Sequence, residues 1–108
     1  RQTATAVREA GGVRSVDAPC FTAAAGGWSC EVRDSVAGVI LEEEDGACIV
    51  AVPAGTVSFP GRRTLEAEQG VFVGRLWQPA RPFPVTCDER GAHLRITEPA
   101  VIRLKPAH

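Results

Sequence analysis

Val36-Ala-Gly-Val-Ile-Leu-Glu-Glu-Glu-Asp-Gly-Ala-Cys-Ile-Val-Ala-Val52 reads as two β-strands folded around a tight turn. Asp45-Gly46 suits a two-residue type I′ turn, in which both central residues take positive φ. Side chains alternate along a strand, so Val39 and Leu41 share one face and Val36 and Ile40 the other. Apolar residues on both faces predict a strand inside the fold and not at its edge.

Turn signals recur outward from this hairpin about every ten residues, the spacing of a sandwich or barrel. Pro60-Gly61 predicts a type II turn, with Pro at its second position and Gly at its third, joining Thr56–Phe59 to Arg63–Ala67. Gln69-Gly70 introduces Val71-Phe-Val-Gly-Arg-Leu-Trp77, read as one strand in which Gly74 marks a bulge or a close backbone approach. Pro79, Pro82 and Pro84 follow. They cannot donate to a ladder, so Gln78–Pro84 is a connection or an edge. Asp88-Glu-Arg-Gly91 closes a hairpin between Val85–Cys87 and His93–Thr97, with Leu94 and Ile96 facing inward. Pro99 ends that strand and Val101–Lys105 forms the last. At the start of the chain, Thr3, Thr5 and Val7 are β-branched and two apart, which suits a strand better than a helix. The sum is an all-β chain of roughly nine to eleven short strands. We expect one domain over residues 1–108, a small antiparallel β-sandwich, with a Greek-key or meander β-barrel as the alternative.

The cysteines are Cys20, Cys30, Cys48 and Cys87, separated by 9, 17 and 38 residues. Structural zinc sites take their ligands in close pairs, and a thioredoxin-like site needs Cys-x-x-Cys; neither pattern is present. Dispersed cysteines in even number in a short chain predict disulfides made in an oxidising compartment. A secreted or periplasmic location follows as an expectation. Of the three possible pairings, Cys20–Cys30 with Cys48–Cys87 is expected. The chain begins at Arg1 and not at Met, as expected of a processed or trimmed product.

The net charge is −1, from 12 basic and 13 acidic side chains. No overall field steers nucleic acid or an anionic membrane, and no apolar run reaches the length of a membrane span. Nucleic-acid binding and membrane insertion are therefore not expected. Lysine occurs once, at Lys105, and Tyr and Met are absent; this skew matches a GC-rich coding sequence and says little about ligands.

No set of residues announces catalysis. A Ser–His–acid triad would need His93 as its base, and none of Ser15, Ser29, Ser35 or Ser58 lies in a Gly-x-Ser-x-Gly context. Glu66 or Glu68 with Asp88 or Glu89 offers carboxylates whose separation sequence does not give. No cysteine has a histidine within five residues, so an activated thiol is not indicated. Glu42–Asp45 is the strongest charge run. Its carboxylates alternate between faces and do not converge as calcium ligands do, so a solvated hairpin end is the simpler reading. Arg62 and Arg63 are expected at an exposed basic tip. Trp28, beside Cys30, is expected to pack in the core. No metal or cofactor is expected.

The segment from Val71 to Phe83 is the best candidate for a binding surface. Read as one strand, it puts Val71, Val73, Arg75 and Trp77 on one face and Phe72 and Leu76 on the other. Arg and Trp are enriched in binding hot spots, and Arg75 is placed to stack on Trp77. Arg81 and Phe83 lie in the stiff proline-rich continuation, which loses little entropy on binding. The leading expectation is a non-catalytic domain recognising another protein, of inhibitor or adhesion type. A structural subunit binding copies of itself in a surface or phage assembly is the alternative, followed by a fragment of a larger protein or a small hydrolase.

Overall fold

The computed structural model describes residues 2–6, 20–35 and 38–107. Among them eleven strands form: β1 Gln2–Ala6, β2 Cys20–Ala25, β3 Trp28–Arg33, β4 Val39–Glu44, β5 Ala47–Val52, β6 Gly55–Pro60, β7 Leu65–Val73, β8 Leu76–Phe83, β9 Thr86–Asp88, β10 Gly91–Ile96 and β11 Ala100–Pro106. They pair antiparallel in two sheets. One has six strands in the order β1-β4-β5-β11-β7-β8, and the other five in the order β2-β3-β6-β10-β9. The architecture is the expected sandwich.

Strand alternation builds the core. Leu41, Val50 and Ile102 sit side by side on the inner face of the six-stranded sheet. Val32, Val57 and Leu94 form the matching row on the five-stranded sheet. All six are fully buried, and full burial of such a side chain contributes about 1.5–3 kcal/mol. Trp28 and Phe59 meet edge to face, with ring centroids 5.9 Å apart. Trp28 is thus a core residue, as expected.

The β4–β5 turn is as read from sequence: Asp45 and Gly46 have φ of 52° and 83°. β4 lies between β1 and β5, inside its sheet, although Ile40 on its outer face is exposed. Residues 36 and 37 of the expected arm, and Val7 of the expected first strand, lie outside the described residues. Arg62 N–H donates to the Phe59 carbonyl at 3.2 Å, and Gly61 has φ 79°, in keeping with the type II turn. The two strands it joins belong to different sheets, however. Arg62–Thr64 leave the ladder, and that slack lets the chain cross from one layer to the other. Arg62 is not at a solvated tip: its guanidinium lies 3.9 Å from the Trp28 ring centroid and donates to the Gly27 carbonyl at 3.2 Å.

The largest correction falls on Val71–Trp77. This segment is not one strand. Val73 pairs with Leu76, and Gly74-Arg75 is the two-residue turn between β7 and β8, with Gly74 at φ 63°. Glycine first and at positive φ is what a II′ hairpin turn asks for. The irregularity expected at Gly74 lies instead at Gln69/Gly70, where the register shifts. The proline segment Gln78–Pro82 is part of β8, an edge strand, where prolines are tolerated.

Candidate functional site

The β7–β8 hairpin carries the most exposed apolar surface among the described residues. Val71 is 57% exposed, Phe72 38%, Val73 61% and Leu76 67%. Trp77 anchors the hairpin from the outer face of the six-stranded sheet. Its indole lies over Gly70, where a Cβ would come within 2.9 Å of Cζ2. Its Nε1 donates to Glu68 Oε1 at 2.6 Å, and Arg103 Nη1 lies 3.7 Å from the same oxygen. Phe72, directly opposite Trp77 in the ladder, meets it edge to face at 5.2 Å. Indole, phenyl and carboxylate together stiffen the base while the aliphatic tip is left in solvent.

The six residues singled out from sequence therefore part company. Val71, Val73 and Arg75 are at the exposed tip. Trp77 is half-buried, and its ring neighbour is Phe72 and not the expected Arg75. Arg81 is on the exposed edge and donates to Gln69 Oε1 at 3.3 Å. Phe83 packs against the core. Phe72 and Leu76, expected on the covered face, are exposed. The signal for them is Gly74-Arg75 read as a turn, which moves Leu76 from a strand interior to a hairpin tip.

A second cluster lies on the outer face of the five-stranded sheet. Ser58 and His93 are direct cross-strand partners, and Ser58 Oγ is 2.8 Å from His93 Nδ1. On the other side of the ring, Asp88 Oδ1 is 3.0 Å from Nε2. Nε2 is shut off from solvent, and Asp88 Oδ1 is the carboxylate oxygen beside it. These are the residue types of a catalytic triad, but the surroundings do not complete one. Ser58 is paired on both sides, with Glu31 and with His93, so ladder bonds use the backbone around it. An acyl-transfer site needs uncommitted N–H groups aimed at the developing oxyanion.

Asp88 has a local task instead. Its Oδ1 accepts from Arg90 N–H at 2.7 Å and Gly91 N–H at 3.2 Å, closing the β9–β10 turn. The His93 contact first, and then these amides, hold its carboxyl below the ordinary 3.8. A lowered carboxylate pKa stabilises the fold above the ordinary value, and that gain fades as pH falls through the folded value. An NMR titration should place the Asp88 midpoint below 3.8, and His93→Phe should move it upward. An unchanged midpoint in the variant would show that the histidine does not act on it.

All four cysteines are thiols, Cys20 and Cys87 exposed and Cys30 and Cys48 buried. The expected pairing does not fit the fold. Ala23 lies opposite Cys30 in the β2–β3 ladder and is buried with it, whereas Cys20 sits opposite Arg33 on the outer face. Three residues along a strand is about 10 Å, beyond the reach of a disulfide. Cys87 is on an exposed edge strand, whereas Cys48 is in the core of the other sheet. Burial pushes the Cys30 thiol up from 9.0 to about 11, against a backbone hydrogen bond at Ala23 and with Glu31 adding to the rise. Burial also raises Cys48, helped by Cys30 and opposed by Arg62. Among the described residues no three His, Cys, Asp or Glu side chains gather to hold a metal ion.

Comparison of the chain with known protein families, with curated proteins and with solved structures gives no match.

Proposed function

We propose that this protein is a non-catalytic binding domain of an oxidising compartment, secreted or periplasmic, whose β7–β8 hairpin docks into an apolar recess on another protein. The observation that carries this reading is the run of exposed Val71, Phe72, Val73 and Leu76 at the tip of a hairpin braced from below by Trp77. Scattered exposed apolar residues need no explanation, but a contiguous group marks an interaction surface. A two-residue turn and a packed indole fix the tip before binding, so little entropy is lost when it docks.

The edge beside the hairpin argues against recognition by strand addition. Pro79 and Pro82 lie in β8 and remove donors from its open side. Side chains at the tip, and not backbone ladders, then make the contact. The same feature weighs against edge-to-edge assembly of copies of this chain.

The test uses a photo-crosslinking residue at position 76, with one at position 56 on the opposite sheet as control, in an extract of the native source. A discrete heterologous product is expected from position 76 alone. Val73→Asp with Leu76→Asp should reduce it at least about tenfold, since disrupting a buried apolar side chain at an interface centre costs about 1 kcal/mol or more, while melting stays close to wild type. Crosslinks mainly to the chain's own copies would favour the structural-subunit reading. Equal yields from the two positions, or from the Asp variant, would sink the proposal.

A further inference from the structure

Cys30 and Cys48 are buried side chains projecting into the core from opposite sheets, Cys30 on β3 and Cys48 on β5. Their alignment across the gap is fixed by a neighbouring contact. Two residues before Cys30, Trp28 sends its indole across the sandwich, and Nε1 donates to the Gly46 carbonyl at 3.3 Å. Gly46 is two residues before Cys48. Side chains two apart on a strand share a face, so the next inward position after Trp28 on β3 faces the first inward position of β5 beyond the turn that holds Gly46. Those positions are the two thiols. The contribution of Cys30 to the rise of the Cys48 thiol agrees with this placement.

Sheets of a sandwich ordinarily stand about 10 Å apart, and a disulfide needs Cα atoms within about 7 Å. The layers come close at this end, where a Cβ added to Gly26 in the β2–β3 turn would collide with Glu43 Cβ on β4. A single side chain, Trp28, spans from one backbone to the other, and the cross-strand neighbours of Trp28 and Cys30 are the small residues Ala25 and Ala23. The remaining cysteines have no such partner in each other. Cys20 and Cys87 are on the two opposite edges of the five-stranded sheet, four strand spacings apart, or roughly 19 Å.

We propose that Cys30 and Cys48 form an inter-sheet disulfide when the chain folds in an oxidising environment, and that Cys20 and Cys87 stay outside it. The oxidant is a small-molecule disulfide such as oxidised glutathione. One cysteine thiolate attacks it, releasing one glutathione thiol and leaving a mixed disulfide. The second cysteine thiolate displaces the other glutathione. The two protein thiols lose two electrons and two protons in all, and the oxidant leaves as two thiols. Burial of both sulfurs requires that this exchange precede closure of the core. The bond closes a short loop that contains β4 and pins the start of β5 to β3. This assignment is independent of what the β7–β8 hairpin binds.

The test refolds the reduced chain in a glutathione redox buffer, denatures it without reductant, alkylates it and digests it with chymotrypsin. Cleavage after Phe21, Trp28, Leu41, Leu65 and Trp77 separates the cysteines. The expected product joins the peptide of residues 29–41 to that of residues 42–65, about 2 Da below the sum of the two reduced peptides, with Cys20 and Cys87 alkylated. Reduction of the refolded protein, before denaturation and digestion, should lower its melting midpoint by roughly 10–20 °C, as for a loop of this size in a small domain. Alkylation of both Cys30 and Cys48, or recovery of Cys20–Cys30 or Cys48–Cys87 as the linked pair, overturns the assignment. Crosslinking from position 76 is read separately, so failure here leaves the binding proposal standing and the converse also holds.

Discussion

Gly91→Ala is expected to remove at least about 3 kcal/mol of stability, a large share of the roughly 5–15 kcal/mol that holds a domain of this kind together. Two costs fall on one methyl group. Gly91 has φ 145°, a region that residues with a Cβ enter only at a cost of about 1–3 kcal/mol. A Cβ built there would also stand 2.2 Å from the Phe59 carbonyl oxygen and 3.1 Å from Gly61 N. Neither neighbour can step aside. Gly91 pairs with Pro60 on one side and Asp88 on the other, and Phe59 is fully buried against Trp28. The comparison variant is Gly74→Ala, where φ is 63° and no heavy atom comes within 4 Å of the added methyl; its cost should be about 1 kcal/mol. Urea midpoints of the two variants decide the matter. Equal losses would mean that the approach to the Phe59 carbonyl is not a tight one.

The second large effect is alkaline. In the fully reduced protein, stability should fall steeply between about pH 9 and 11. Cys30 holds its proton more tightly in the fold than in the unfolded chain, because its ionised form would sit in an apolar core. A group raised in this way stabilises the fold fully below its ordinary pKa, and the gain is lost as pH climbs toward the folded value. From 9.0 to about 11, at 1.36 kcal/mol per unit, Cys30 alone accounts for about 2–3 kcal/mol, and Cys48 acts in the same direction. The background is quiet, since the chain has no tyrosine and one lysine. Urea midpoints measured with a phosphine reductant at pH 7.5, 9 and 10.5 should decline, and Cys30→Val should flatten part of the slope. An identical slope in the variant would remove Cys30 as the cause. Protein carrying the Cys30–Cys48 bond should show almost none of this decline, since it has no buried thiol to ionise.

Much of the fold is legible in the sequence because turn chemistry is local. Asp45-Gly46 and Pro60-Gly61 each demand particular φ values, and the chain takes them. The alternation around Leu94 and Ile96 marks the inner face of β10 in the same way. The β7–β8 hairpin escapes such a reading because Val71–Trp77 is apolar at both odd and even positions. Periodicity then carries no mark of where the strand stops. Gly74-Arg75 lacks the Asn, Asp or Ser that usually signals a two-residue turn. The Ser58–His93–Asp88 cluster is out of reach for a different reason. Ser58 and His93 are 35 positions apart, and they meet only because β6 and β10 pair in one particular register.

Local sequence is enough to dictate short antiparallel strands, the place of most turns, and which residues of the regular strands face inward. Those properties depend on backbone torsions and on two-residue alternation, which near neighbours set. Only the assembled sandwich stacks Arg62 on Trp28, leaves Val73 and Leu76 in solvent and turns Cys30 across the core toward Cys48. Each of these depends on which strands share a sheet and which sheet faces which, and burial summed over the whole chain selects that arrangement.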